Sequence, residues 1–537
     1  MTRRILAALG AALLACAPAA VPTPEADLTP RYDVLITGGT VIDGSGAAGF
    51  AADVALRGDR IVRVSRTPLP RDGAARVIDA AGRVVAPGFI DLHAHLDPLM
   101  RLTGAESHVR QGVTTALGGP DGSSPFPLTP YLDSIAERHP GMNVAFMAGH
   151  NTIRTIVMGR ANRAPTEDEL ARMRRLVAVA MGSGAFGLST GLRYIPGNFA
   201  STDEVVALSR SAADSGGFYT SHLREEGLGL LEGVGEAIEI GRRAGIPIVL
   251  THHKAVGQAM WGKSVTTLAM VDSARRAGVD VMIDQYPYTA SQTGISVLIP
   301  TWAMAGGDSA FARRMRDPIL HDSVRAGVLF NLINDRGGGD LRRVQFGSVR
   351  WMRELEGKTL HDLAIMRGLA PTLENGAELV LDVELRGGAR CVFHVMDEGD
   401  VRRIMAHPQT MIASDGRLSS PGEGVPHPRA YGTFPRVLGH YVREAHVLTL
   451  ETAVHKMTGM PAARLGLADR GRLREGASAD VVIFDPATVS DRATFESPHQ
   501  YPSGIDFVFV NGVAAVDGGR FTDARGGRVL RREPRRR

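Results

Sequence analysis

Eight apolar stretches of strand length recur through the middle of this 537-residue chain, each ending on polar residues. They run over 84–95, 114–121, 144–150, 184–190, 217–222, 246–253, 279–286 and 410–415, and most are followed by a segment of helix length. A strand that is apolar along its whole length has both faces buried, which is the environment of a parallel sheet covered by helices. Eight such strands alternating with helices predict an α/β fold, a (β/α)8 barrel of the TIM type. The helix starts agree, because Thr166-x-x-Glu169 and Ser201-x-x-Glu204 have the capping-box pattern. About 120 residues separate the seventh run from the eighth. That is far longer than an ordinary connection, so residues 303–385 read as a mostly helical insertion over the barrel mouth.

The chain is too long for one typical core, so a second, smaller domain is expected. Short alternating strands with Gly and Asp turns fill 31–86, and similar pieces return in 466–530. Such strands need a partner sheet, which predicts one small β-sandwich built from both chain ends and flanking a barrel at 87–465. Residues 531–537 form a basic tail that reads as a solvated terminus. With a formal net charge of +4, no basic stripe and no reading motif, a nucleic-acid role is excluded. At the start, Arg3 and Arg4 precede an apolar run over 5–15 that is too short to span a bilayer. Leu13-Leu14-Ala15-Cys16 resembles a lipoprotein cleavage box, while Ala17-Pro18-Ala19 offers a plain secretory site. Residues 1–30 therefore read as a signal peptide and tether. Export to the periplasm is expected, with a lipid anchor at Cys16 as the one membrane contact.

In a barrel all strand ends meet on one face, where catalytic groups gather. Here those ends carry His93, His95, Asp121, His150, His222, His252, His253, Lys254 and Asp415. Imidazole nitrogen and carboxylate oxygen are natural ligands for Zn²⁺. His93 and His95 are two residues apart on a strand, so both rings point the same way and can share one metal. Asp415 closes the eighth run in Ser414-Asp415-Gly416. A carboxylate there can touch a metal and take the proton of an attacking water.

The chain resembles the amidohydrolase superfamily and, within it, the D-aminoacylase (N-acyl-D-amino-acid deacylase) family. The resemblance rests on Gly88-Phe-Ile-Asp-Leu-His-Ala-His95, Gln111-Gly-Val-Thr-Thr115, Gly187-Leu-Ser-Thr-Gly-Leu-Arg-Tyr-Ile-Pro-Gly197, Ser221-His-Leu-Arg-Glu-Glu226, Thr251-His-His-Lys254, Asp284-Gln-Tyr-Pro-Tyr288, Ser414-Asp-Gly416 and His427-Pro-Arg429. It implies His222 and His252 as ligands of a tightly bound metal, and His93 and His95 as ligands of a weaker one. It implies Asp415 as the catalytic acid/base, also able to touch the metal. Tyr194, Lys254, Tyr286 and Arg429 are implied around a small N-acyl amino acid, with Arg429 on its carboxylate, a pairing that suits a guanidinium fork. One position departs from the family pattern. Asp121 stands where the family usually has a metal-bridging cysteine. A carboxylate can bridge two metals too, but it is a harder ligand, which makes Mn²⁺ or a similar ion more competitive with Zn²⁺. One or two divalent metals are therefore expected.

Three other readings carry different expectations. A cyclic amidase of the hydantoinase or dihydroorotase kind would place a bridging lysine on the fourth strand, which here ends in Ser189-Thr190. A dipeptidase acting on D-residue or isoaspartyl dipeptides would share the same chemistry. A binding protein without activity would show damaged ligands, yet the strand-end histidines and Asp415 are all present.

Overall fold

The structure, a computed structural model, describes residues 31–533. The apolar leader, Cys16 and the end of the basic tail lie outside the described residues. Eight parallel strands form the barrel: Phe89–Asp91, Val113–Gly118, Asn143–Phe146, Gly187–Gly191, Phe218–His222, Ile248–Leu250, Val281–Gln285 and Thr410–Ile412. Consecutive members pair in parallel register, with the short continuation Ala148–Gly149 linking the third strand to the fourth. The ring closes where Gly416–Arg417 pairs with Ala94–His95.

The alternation of side chains along each strand divides the apolar runs between two cores. Ile90, Leu117, Ala145, Phe218, Val249 and Met411 fill the interior, one from each of six strands, with Phe186 just before the fourth strand and half-buried Met282 from the seventh. Their neighbours Phe89, Ala116, Val144, Tyr219, Ile248, Ile283 and Ile412 face outward and pack with the helices. This two-sided burial is why the runs read as continuously apolar. The helix Glu167–Gly182 starts with a complete capping box from Thr166 and Glu169. At Thr202–Ala213 only half of the predicted box forms. Ser201 accepts from the Glu204 backbone, but the Glu204 carboxylate turns to the buried Arg154 and to His150. A buried cation needs a counter-charge more than the cap needs its second bond.

The two chain ends do join. A nine-stranded sheet runs in the order Arg520–Phe521, Val513–Asp517, Ile505–Val510, Val481–Phe484, Val84–Pro87, Tyr32–Val41, Phe50–Arg57 and Arg60–Ser65, with Ala74–Asp79 beside Tyr32–Val41. Its central pairing, Val84–Pro87 against Val481–Phe484, brings the N-terminal and C-terminal halves together. The predicted first barrel run, 84–95, is thus not one strand. It breaks at Gly88, where a Cβ would meet the Thr114 side chain at 2.2 Å, and its first four residues belong to the small sheet. The insertion is also broader than 303–385. Its helices Asp308–Arg314, Pro318–Asn334, Leu360–Met366 and Leu373–Leu385 pack on an antiparallel sheet of Ser291–Gly294, Arg390–Phe393 and Val344–Ser348. Together they enclose a separate core that includes Val328, Phe346, Val380 and Phe393. The start of the basic tail is fixed: Arg531 binds Asp133 and the Arg532 backbone N–H donates to the Gly184 carbonyl.

A buried polar knot fastens the small sheet to the barrel. Asp480 accepts from Asn143 of the third strand at 3.1 Å and from the Asn511 backbone at 2.7 Å, and it pairs with Arg470. Burial pushes the Asp480 carboxyl up, and Arg470 and these hydrogen bonds oppose that rise. Arg470→Ala would leave the carboxylate buried and unpaired, which costs about 3–5 kcal/mol. Urea titration of this variant is expected to show a loss of that size; a loss within the error of the titration would contradict the role given to the knot.

Candidate metal centre

The barrel brings six of the predicted residues to one point at its mouth. His222 is the last residue of the strand Phe218–His222, four positions after the inward-facing Phe218, so it too faces inward. His93 immediately precedes the closing segment Ala94–His95, and His95 ends it, paired with Arg417. Asp121, His252 and Asp415 follow their strands with φ of +54°, +37° and +48°. Non-glycine residues rarely adopt this left-handed backbone, and such positions cluster at functional sites. The surroundings hold them there. The His252 N–H donates to Asp284 at 2.6 Å, and the Asp415 N–H donates to the His93 carbonyl at 2.8 Å.

The donor atoms fall into two groups, His93, His95, Asp121 and Asp415 in one, and Asp121, His222 and His252 in the other. Asp121 belongs to both. Its Oδ1 lies 3.5 Å from His93 Nε2 and 3.4 Å from His252 Nε2, and its Oδ2 lies 3.6 Å from His95 Nε2 and 3.7 Å from His222 Nδ1. Asp415 Oδ1 lies 3.1 Å from His95 Nε2 and 3.5 Å from His93 Nε2. His93 Nε2 and Asp121 Oδ1 are buried without a hydrogen-bond partner among the described residues. Orphaned buried polar atoms are costly, and here they converge with nitrogen and carboxylate donors suited to a divalent cation. The residues fit a two-metal centre with Asp121 shared between its halves.

Charge is balanced around this point. Burial would raise the Asp415 carboxyl, but the Arg429 guanidinium, 2.8 Å from Oδ2, and His93 outweigh it and hold the group well below the usual carboxylate range. Glu226 sits behind the other half-site. Its Oε1 is 3.1 Å from His252 Nδ1 and its Oε2 is 3.7 Å from His222 Nε2, so it backs both imidazoles on the sides away from Asp121. It also binds Lys254 at 2.5 Å and Arg336 at 3.2 Å. Burial raises the Glu226 carboxyl, yet Lys254 and the two imidazoles hold it well below its ordinary value. A carboxylate behind a metal-binding imidazole fixes ring orientation and strengthens the ligand.

A cavity of about 600 Å³ opens over the centre, lined in part by His95, Asp121, Tyr194, His222, Glu226, His252, Lys254 and Asp415. The volume suits a small molecule. Tyr194 forms cavity wall and bonds to Thr293 of the insertion. Tyr286 and Arg429 lie just behind the wall, the guanidinium stacked over the ring at 4.7 Å, with Arg429 Nε lacking an acceptor among the described residues. Two strand-end histidines do not join the site. His150 is turned to Glu204, and His253 bonds Thr267 on a helix outside the barrel. Glu226, Arg336 and Arg390 border the cavity and were not singled out by sequence reading. Glu226 stands four residues after His222, a spacing that could have flagged it. Arg336 and Arg390 lie in the long insertion, where no local pattern marks them.

Fold and site together define a class: an α/β-barrel hydrolase with paired metal positions at the strand ends. A family model described as amidohydrolase family matches residues 76–283 and 336–516, and the chain belongs to that family. It is 38% identical over 536 residues to D-aminoacylase from Alcaligenes xylosoxydans xylosoxydans, covering 95% of this chain and 99% of that one. It is 39% identical over 530 residues to N-acyl-D-glutamate deacylase of the same organism, covering 94% and 97%. Among solved structures it is similar to N-acyl-D-glutamate deacylase from Bordetella bronchiseptica, solved with zinc and a phosphonate mimic of the tetrahedral intermediate. That likeness has a TM-score of 0.78 at 35% identity and covers 93% of this chain and 99% of the other.

The backing role of Glu226 is open to direct measurement. Glu226→Gln is expected to weaken divalent-metal affinity by about 10- to 100-fold, read by competition with a chelating dye, while far-ultraviolet circular dichroism stays native. Unchanged affinity in a folded variant would show that Glu226 does not support the imidazoles.

Proposed function

We propose that this protein hydrolyses the amide bond of N-acyl-D-amino acids, releasing a carboxylate and a free D-amino acid, with zinc at the shared centre. One observation carries the reading: Asp121 links two histidine pairs, and the Asp415 carboxylate stands beside one of them at the floor of a small-molecule cavity. Bound there, a divalent cation supplies Lewis acidity, lowering the pKa of water toward about 7 and polarising an amide carbonyl. His93, His95, His222 and His252 would hold it, with Asp121 between them. Four imidazoles favour zinc, and the carboxylate of Asp121 leaves room for Mn²⁺.

The remaining steps belong to the chain. Asp415 is ionised beside Arg429, and its Oδ1 lies 3.1 Å from His95 and 3.5 Å from His93 at the cavity floor, so it is placed to accept the proton of the attacking water. Once protonated it can pass that proton to the departing amine. Lys254 and Tyr194 line the cavity where the substrate's own carboxylate would lie, and Arg429 and Tyr286 stand directly behind that wall. The fourth strand supports linear over cyclic amides. Ser189 donates to the Gly119 carbonyl, Thr190 is bonded to Tyr219, and this strand end places no bridging lysine at the centre.

The leader supports export to the envelope, with Cys16 as the anchor point. Expressed in a bacterial host, the protein should sediment with membranes, and Cys16→Ala should release it; a soluble cytosolic protein would contradict this reading. For the chemistry, Asp415→Asn should lower kcat on N-acetyl-D-amino acids by at least about 10²- to 10⁴-fold with metal content unchanged by mass spectrometry. Near-native kcat in the metal-loaded variant would contradict the proton-transfer role.

A further inference from the structure

The histidine of the His427-Pro-Arg429 segment is not part of the cavity wall, yet it is 1% exposed and both its ring nitrogens are engaged by backbone. Nε2 donates to the Ala290 carbonyl at 2.9 Å, and Nδ1 accepts from the Arg429 N–H at 3.1 Å. A carbonyl only accepts and an N–H only donates, so the proton sits on Nε2 and Nδ1 is bare. A single neutral tautomer satisfies both bonds. Burial and the Arg429 guanidinium push the ring's pKa well below its ordinary value, which keeps it in that form. Tyr288 and Phe495 enclose the ring edge-on, each with 5.0 Å between ring centres.

This imidazole joins two loops whose relative position decides where Arg429 lies. Ala290 ends the loop after the seventh strand, which carries Tyr286 and leads into the Ser291–Gly294 edge of the cavity. Arg429 opens the helix Arg429–Arg436 after the eighth strand. Its guanidinium touches both sides of the junction, with Asp415 Oδ2 at 2.8 Å and the Tyr286 ring centre at 4.7 Å. The rest of the helix is held by other groups. Gln111 donates to the Ala430 carbonyl at 3.1 Å, and Arg436 donates to the Pro287 carbonyl at 2.8 Å. The N–H of Arg429 itself, the first of its helix, has no acceptor within the helix; His427 supplies one. Loss of the imidazole would therefore leave the helix docked and free its first residue, the one that carries the guanidinium. Misplacement of a group at a reacting centre by about 1 Å can cost about 10²-fold in rate.

We propose that His427 is a positioning residue: it fixes the loop after the seventh strand to the first residue of the helix and so holds Arg429 against Asp415. The inference rests on the deacylase reading and goes beyond it by assigning this role. The test is a cycle of four zinc-loaded proteins: wild type, His427→Leu, Arg429→Met and the double variant. All are assayed on the fastest of N-acetyl-D-leucine, N-acetyl-D-glutamate and N-acetyl-D-aspartate. His427→Leu should lower kcat by about 10- to 100-fold with metal content and circular dichroism unchanged, and Arg429→Met should lower it at least as far. A residue that acts only through Arg429 has nothing left to do once Arg429 is gone, so the double variant should match Arg429→Met within about twofold. A merely structural role would instead make the two losses multiply. If His427→Leu does not fold, His427→Gln takes its place with the same expectation, because it keeps a donor for Ala290 and loses the acceptor for the Arg429 N–H. Multiplied losses, wild-type kcat in a folded His427 variant, or failure of both variants to fold overturns the positioning role alone. No hydrolysis of any of the three compounds by the zinc-loaded wild type overturns the deacylase reading and this inference with it.

Discussion

The carboxylate of Asp121 faces both histidine pairs, and the mouth of the barrel is organised around it. Each of its oxygens looks toward one imidazole from either pair, at 3.4–3.7 Å. A single negative charge thus ties together residues from the first, second, fifth and sixth strands. The tie has a backbone cost, since Asp121, His252 and Asp415 all take left-handed φ, and each such residue costs on the order of 1–3 kcal/mol. Surrounding hydrogen bonds hold the strain. Asp91 accepts from the His93 N–H, the Ser414 N–H and the Ser414 hydroxyl, so it joins the first strand to the eighth directly beneath the site. Its burial pushes its carboxyl up to about 6. Closing the barrel and assembling the centre are one structural event.

Much of this was legible in the sequence because barrel strands are buried on both faces. Continuous apolar runs therefore mark them, and polar residues at their ends mark the mouth. His93 and His95 could be read from spacing alone, and Asp121 and Asp415 from position. What escaped has physical reasons. The run 84–95 is uniformly apolar, yet its first part is buried in the small sheet and its last part in the barrel, and hydrophobicity does not tell one core from the other. His150 stands at a strand end like a ligand, but buried Arg154 draws Glu204 inward, and His150 shares that carboxylate. His253 follows His252 directly and so points to the opposite side.

The insertion illustrates a different limit. Its helices have their own core, so their periodicity reveals helix and little else. Its small sheet, built from segments on either side of the helices, brings Arg390 beside residues of the barrel through long-range pairing. No local pattern could announce that. The division of labour follows from it. The barrel supplies donors fixed by strand geometry and by backing groups such as Glu226. The insertion supplies the Ser291–Gly294 edge and Arg390 to the wall of the cavity.

The central claim is that Asp121 does in this protein what a shared ligand must do: hold both halves of a metal centre together. The most direct measurement is a crystal structure of the zinc-loaded protein with anomalous diffraction at the zinc edge. The account predicts zinc among the four histidines with an Asp121 oxygen at about 2.0–2.2 Å from it. Zinc held by the histidines with the Asp121 carboxylate turned away, beyond coordination distance, would contradict it.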